Sequence, residues 1–365
     1  MNQAHTLIKQ TIRQSQAGYI PFRQFMELAL YSPGGYYQQQ RAKVGKAGDF
    51  YTNASVHAVF GATIAEVIAK MLSSLEAGSP LYVVEMGGGP GELSGQILHS
   101  WQQNGLPVSK LEYIMIETSG YHKKLQQARL EAFAQWLPIH WFESIAEARK
   151  HLPCLTGVCF SNELPDAFPV HLIERKNGRW MEVCVTIEND AFTEVTTEII
   201  NPELLAYCER EQIPGIEGYR TEVNLESMKW MKEVADWLSE GYNIIIDYGY
   251  TREELYAPSR RGGTLLCYRE HQISEDLYEH VGEQDMTSHV NFSALMEAGE
   301  EKGLRTLSLD SQGDFLVKAG ILERLQAHDG GDPFRNEAAR RNRAIRQLIM
   351  QEGMGGTFKV LVQQK

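Results

Sequence analysis

From residue 81 onward, apolar positions along this chain follow two alternating patterns. Short unbroken apolar runs end in an acid or in glycines, and longer stretches with apolar residues three and four apart follow them. Leu81-Tyr82-Val83-Val84 leads into Glu85 and then Gly87, Gly88, Gly89, Pro90 and Gly91, before a helical pattern over 93–102. Residues 111–116 end in Glu117 and precede a helical pattern over 120–136. Residues 139–142, 157–160 and 243–246 read as third, fourth and fifth strands, the last ending in Asp247. Two more strands are expected over 304–309 and 357–362, too far apart for a tight hairpin but able to pair. Strands alternating with helices, each strand apolar on both faces, predict an α/β fold with a mainly parallel, Rossmann-like sheet.

Elsewhere the pattern is different. Residues 1–75 read as a helical N-terminal extension packing on a catalytic domain over 76–365. The turn-rich stretch Tyr31-Ser32-Pro33-Gly34-Gly35 interrupts the extension, and a second loop covers 45–53. Leu7, Ile8 and Ile12 sit at helical spacing and Lys9 and Arg13 are basic, so a structural helix is expected there rather than a removable leader. Two insertions are expected in the catalytic domain. The one over 168–230 is β-rich, with strands over 180–187 and 192–200 joined at Asn189-Asp190. The one over 255–300 is polar with few strand signals.

Charge and cysteine content narrow the function. Lys and Arg total 35 against 47 Asp and Glu, a formal net charge of −12. That balance argues against a general nucleic-acid binder and suits a small-molecule enzyme or a cationic partner. Five cysteines with no C-x-x-C spacing argue against a disulfide scaffold or a zinc ribbon, and no metal is expected. A reducing cytoplasm fits, and no apolar run reaches the length of a membrane span. Arg335, Arg340, Arg341, Arg343 and Arg346 crowd the charged segment 329–346, which reads as a solvated helix face.

The glycine stretch carries the strongest chemistry. A glycine turn between strand and helix lets a ligand approach the backbone, with free N–H groups at the helix start. The spacing is G-x-G-x-G, preceded two residues earlier by an acid. Counting six from Gly87 gives Glu92 and from Gly89 gives Ser94, so the dinucleotide fingerprint is absent. Lys46 is followed by Ala47, which excludes a P-loop. The spacing present resembles that of S-adenosyl-L-methionine methyltransferases, so Glu85, Gly87, Gly88, Gly89 and Gly91 are expected to cradle S-adenosyl-L-methionine, with Glu117, an acid placed as dinucleotide enzymes also place one, gripping its ribose hydroxyls. Asp49 and Thr52 are candidates to close over the cofactor, and Ser144 and Ile145 to meet its adenine.

A second cluster, Asn162-Glu163-Leu164-Pro165-Asp166, follows the fourth strand. In open α/β sheets that end of the strands faces the ligand. A guanidinium has a pKa above about 12 and is held best by carboxylates in bidentate geometry. Glu163 and Asp166, with Asn162, are expected to orient such a substrate. The polar-loop alternative makes Asp166 a helix cap. Asp247, Tyr248, Tyr268, Gln284, Asp285 and His289 are weaker candidates for walls and a lid.

Together these blocks resemble the MidA-like family of class I methyltransferases, whose mitochondrial members help assemble respiratory complex I. The resemblance is carried by Pro21-Phe22 with Phe25-Met26, Gly48-Asp49-Phe50 with Thr52, and the glycine loop. It continues through Asn162-Glu163 with Asp166-Ala167, Asp247-Tyr248-Gly249-Tyr250, Gly263-Thr264-Leu265, Gln284-Asp285 with His289, and Gln312-Gly313-Asp314-Phe315. Departures fall at Gly88 and Pro90, at Leu164-Pro165, and at Asn53-Ala54. The resemblance implies a seven-stranded sheet, an S-adenosyl-L-methionine cofactor and arginine methylation of a protein partner, in a bacterial cytoplasmic member. The resemblance implies a first helix that begins close to Met1, so no removable leader is expected. Methylation of a small molecule, an assembly module that binds the cofactor without turnover, and a nicotinamide oxidoreductase remain alternatives. The oligomeric state stays open.

Overall fold

Each unbroken apolar run from residue 81 onward becomes a strand. The computed structural model describes residues 2–41, 43, 45, 48–49, 52–75, 80–328 and 336–365. Met1, Lys46, Ala47, Phe50 and Arg335, all named above, lie outside the described residues. The chain divides into two units: residues 1–50, 165–230 and 249–298 form unit one, and 51–164, 231–248 and 299–365 form unit two.

Among the described residues, unit two is built on seven strands. In chain order they are β1 (Leu81–Met86), β2 (Leu111–Ile116), β3 (Ile139–Phe142), β4 (Leu155–Asn162), β5 (Leu238–Tyr250), β6 (Arg305–Ser311) and β7 (Phe358–Gln364). Their spatial order is β6-β7-β5-β4-β1-β2-β3. The β5–β4, β4–β1, β1–β2 and β2–β3 pairs are parallel. Strand β7 runs antiparallel to both its neighbours, so the two C-terminal runs do pair. This is the seven-stranded sheet that the resemblance implies. The sheet core joins Val83, Tyr113, Met115, Phe160 and Ile246 to Phe60, Ile64, Ile97 and Trp101 from the helices Val59–Ser73 and Glu92–Gln103. Full burial of such side chains contributes about 2 kcal/mol each.

Helix Val59–Ser73 thus belongs to the core of the sheet, and the division falls after residue 50 rather than after 75. Its apolar stripe is evident in sequence, but a stripe does not say which core it faces. Strand β5 covers 13 residues where the apolar run marked four. Its last two, Gly249 and Tyr250, pair with Val290 and Asn291 in unit one.

In unit one, helices Gln3–Gln14 and Phe22–Tyr31 share a core with an antiparallel sheet. Ile8, Ile12, Phe22 and Phe25 meet Leu172, Val183 and Val185 there. Strands Arg179–Glu188 and Ala191–Glu198 form the expected hairpin. Its turn residues Asn189 and Asp190 take φ of 49° and 65°, the left-handed geometry that a two-residue hairpin turn requires. The polar 255–300 region holds a three-stranded sheet, Leu266–Arg269, Gln272–Ser274 and Asp285–Thr287. These strands are three or four residues long and are set among polar residues, so no sustained apolar run or alternation marks them in the sequence. No helix among the described residues is long and apolar enough to cross a membrane.

Candidate active site

The glycine loop leaves the C-terminal end of β1, the third strand from the β3 edge of the sheet. Gly87, Gly89 and Gly91 have φ of 69°, 51° and 75°, a region that side chains bearing a Cβ disfavour by about 1 kcal/mol. Gly91 is the cap of helix Glu92–Gln103. The loop has a packed side and an open side. A Cβ on Gly88 would lie 2.7 Å from Met115 Cε and 3.2 Å from Glu85 Cδ. A Cβ on Gly89 would meet nothing within 4 Å.

Glu85 lies behind that loop, 2% exposed. The Ser94 hydroxyl donates to its carboxylate, and Tyr113 Oη donates at 2.8 Å. Burial pushes this carboxyl up to about 7, against those two hydrogen bonds. Its position is that of a strut under the loop. The structure therefore gives Glu85 partners on the protein side, where the sequence reading groups it with the glycines that cradle the cofactor.

The raised value has a consequence for stability. Between the ordinary glutamate range near 4.5 and about 7, folded Glu85 keeps a proton that the unfolded chain releases. The native state binds more protons in that window, so this group's contribution to stability falls as pH rises through it. Above 7 the cost is constant at about 3 kcal/mol. Glu85→Gln is expected to equal the wild type near pH 4.5 and to exceed it by about 3 kcal/mol at pH 8. Urea midpoints at the two pH values check this; a variant less stable at pH 8 would contradict it.

Glu117, just past β2, is 7% exposed. Its Oε1 accepts the Ser119 N–H at 2.8 Å and its Oε2 accepts Gln126 Nε2 at 3.1 Å. Burial pushes its carboxyl up to about 7, countered by these donors, and the Glu85 charge adds to the rise. Gln126 Nε2 also donates to the Gly89 carbonyl at 2.8 Å, so one amide ties the glycine loop to the acid. The Gln126 Oε1 is buried without a hydrogen-bond partner. Sequence reasoning missed Gln126. It lies four residues after His122 and four before Leu130, on the buried stripe of helix Gly120–Leu130, where a polar side chain must find partners.

The second cluster forms at the end of β4. Met86 pairs with Ser161, so Gly87 lies level with Asn162. Glu163 has φ of 56°, unusual for a side chain of its size. Strained backbone of this kind concentrates at functional sites. The Glu163 N–H donates to the Ile246 carbonyl at 2.9 Å. Its Oε1 accepts the Asn53 N–H at 3.1 Å and Asn162 Nδ2 at 3.0 Å. Asn53 Nδ2 lies 3.5 Å from Asn162 Oδ1. Asn53 is fully buried, and its Oδ1 has no hydrogen-bond partner. Asp247 accepts from the Leu164 N–H at 3.2 Å and from its neighbour Tyr248 N–H at 2.7 Å. Asn53, noted in sequence only as a departure, thus joins the cluster.

The remaining candidates are placed as follows. The Thr52 side chain caps the short helix Asn53–Val56 through a reciprocal pair with Ser55. The Ser144 hydroxyl accepts from Glu147 N–H as the cap of helix Ile145–His151, and Ile145 is buried at its start. Asp49 lies in unit one, 1% exposed, where it takes Tyr36 Oη at 2.7 Å, Arg41 at 2.8 Å and the Glu270 N–H at 2.8 Å. That makes it an anchor for the loop it stands on. Asp166 also lies in unit one, buried in the turn Pro165–Ala167, with its carbonyl on the Ser288 N–H at 3.0 Å. It caps no α-helix. Its charge helps to raise the pKa of the Tyr37 and Tyr268 hydroxyls.

The residues of unit two fit a nucleoside sulfonium. An open-faced loop, a carboxylate one strand away and an orphaned amide oxygen beside it offer a backbone cradle and acceptors for hydroxyl groups. Comparison with known proteins agrees. Residues 63–309 match the family model described as "Putative S-adenosyl-L-methionine-dependent methyltransferase". The mitochondrial protein arginine methyltransferase NDUFAF7 of Danio rerio is 26% identical over 364 residues, covering 94% of this chain and 82% of its own length. The Drosophila melanogaster homolog is 24% identical over 340 residues, with 85% and 74% covered. A Burkholderia thailandensis crystal structure, described as a "likely methyl transferase" bound to S-adenosyl-homocysteine, superposes with a TM-score of 0.88 at 31% identity. It covers 99% of this chain and 92% of that one. This chain belongs to the family of S-adenosyl-L-methionine-dependent methyltransferases.

Proposed function

We propose that this methyltransferase modifies a guanidinium nitrogen of an arginine in a protein substrate. The observation that carries the reading is the acceptor cluster after β4: the Glu163 carboxylate, Asn162 Oδ1 and the orphaned Asn53 Oδ1. A guanidinium offers five donors and no acceptor, which matches such a set. The relatives named as protein arginine methyltransferases support it at 24–26% identity. The glycine loop, Glu117 and Gln126 would hold the cofactor, which supplies a methyl group on a sulfonium when bound. Glu163 binds the guanidinium by charge-assisted hydrogen bonds and draws its positive charge away from the nitrogen to be methylated. Asn53 and Asn162 hold Glu163 at its strained backbone position, which keeps its rotamer fixed. Asp166 belongs to the same proposal as a second carboxylate for the substrate, tested by Asp166→Asn. A cytoplasmic setting is supported by five cysteines that are all free, and a bacterial one by the likeness to the Burkholderia thailandensis protein.

The test is tritiated-methyl transfer from S-adenosyl-L-methionine into a lysate of cells lacking this protein, with labelled products identified by mass spectrometry. Label on arginine is the expected result. Label on lysine or on a metabolite would reject arginine. Cofactor binding with no label anywhere would reject turnover and leave a binding module.

A further inference from the structure

Unit one contains an open cleft of about 770 Å³. Strand residues Leu172, Glu194, Arg220 and Glu222 form one wall, and the loops at 260–266 and 275–278 form the other. Its charges do not cancel. Glu194 and Arg220 neutralise each other through two hydrogen bonds of 2.7 and 2.5 Å, and Tyr278 Oη adds a third at 2.8 Å.

Glu222 has no such partner. It is 6% exposed, and its carboxylate takes the N–H groups of Thr264 at 2.8 Å and Leu265 at 2.9 Å, with the Thr264 hydroxyl at 3.4 Å. Among the described residues, no ion pair involves Glu222, or Glu275 and Asp276, which are exposed on the facing loop. Among the described residues lining the cleft, Arg260 is the one cation besides the paired Arg220. It lies 4.0 Å over the Tyr250 ring and donates to the Glu254 carbonyl at 3.2 Å. His289 also lines the cleft, but burial pushes its pKa down to about 4, so it is neutral near pH 7. Glu275 and Asp276 against Arg260 leave the cleft with an excess of negative charge, and burial raises the pKa of the withdrawn Glu222 carboxyl, so that an incoming cation favours its ionised form. A buried carboxylate without a counter-charge is costly, and an incoming cation removes that cost.

We propose that this cleft binds a basic side chain of the polypeptide substrate. The cationic group sits against Glu222, Glu275 and Asp276 hold it at the rim, and Arg260 takes a backbone carbonyl of the same segment. The assignment rests on the reading of a polypeptide acceptor given above, and it adds a docking subsite carried entirely by unit one.

The test is an NMR titration of the full ¹⁵N-labelled chain with N-acetyl-arginine amide, using N-acetyl-citrulline amide as the uncharged control. Saturable shifts are expected at the amides of Thr264, Leu265 and Leu277 with the arginine probe, and none with citrulline. Glu222→Gln is expected to weaken binding by roughly tenfold. The double variant Glu275→Gln/Asp276→Asn lies on the exposed rim, carries the test should Glu222→Gln fail to fold, and is expected to cost about threefold. Equal response to citrulline, or shifts confined to residues 87–91 and 162–163, would overturn the cleft assignment. Tighter binding of free arginine than of its blocked form would reassign the cleft to a small amino acid and overturn the polypeptide occupant. S-adenosyl-homocysteine added to the same sample reads the amides of Gly89 and Glu117. Failure there rejects the methyltransferase site and leaves the cleft result standing.

Discussion

Glu163→Gln is expected to bind S-adenosyl-homocysteine as the wild type does and to lose methyl transfer by about a hundredfold or more. The amide keeps the shape of the carboxylate, and its oxygen still accepts the bonds from Asn53 N–H and Asn162 Nδ2. It removes the charge that a guanidinium requires. A charge-assisted pair is roughly twice as strong as a neutral one, so the loss appears where the substrate is held and polarised. The cofactor loop is untouched, because Glu117 and Gln126 stand on other elements. Two further variants separate role from strain. Glu163→Ala and Glu163→Gly both lose the side-chain bonds, but only alanine keeps a Cβ at φ of 56°. The glycine variant is expected to be more stable by about 1 kcal/mol while both stay inactive. Thermal unfolding and labelled-methyl transfer measure the two effects. Wild-type transfer by Glu163→Gln on an arginine protein would remove Glu163 from the substrate site.

How far such residues show in sequence depends on where their partners lie. β1, β2 and β4 were legible because their apolar runs are unbroken and end in Glu85, Glu117 and Asn162, and the glycines of 87–91 announce a turn without help from any other segment. The hairpin at Asn189-Asp190 is legible for the same reason: its signal is local. Gln126 and Asn53 act through partners 37 and 110 positions away in the chain, at Gly89 and Glu163, so no local pattern marks them. Asp49 is the converse case. An acid in a glycine-bearing loop reads as available for a ligand, yet Tyr36, Arg41 and the Glu270 backbone take its carboxylate. Glu85 shows the same ambiguity. An acid two residues before the first glycine is visible in sequence, but only the positions of Ser94 and Tyr113 show that its carboxylate turns back beneath the loop.

Two neighbouring glycines give opposite expectations, and the contrast tests the orientation of the loop. Alanine at position 89 meets no protein atom within 4 Å, so its cost to folding is the positive φ alone, about 1 kcal/mol. Its methyl group projects from the open side of the loop, where the cofactor would approach the backbone. Overfilling a fitted contact costs about 1–3 kcal/mol, which is roughly tenfold to a hundredfold in affinity for S-adenosyl-homocysteine. Alanine at position 88 points the other way. Its methyl group would press on Met115 and on Glu85, both fully buried or nearly so, and force the strut beneath the loop to shift. Gly88→Ala is therefore expected to lose about 1–3 kcal/mol of stability. In conditions where it is folded, its affinity should fall less than that of Gly89→Ala. Calorimetric titration with S-adenosyl-homocysteine and urea unfolding of both variants give the four numbers. If Gly89→Ala binds at full strength while Gly88→Ala does not, the cofactor lies on the other side of the loop, and Glu117 could not reach its ribose.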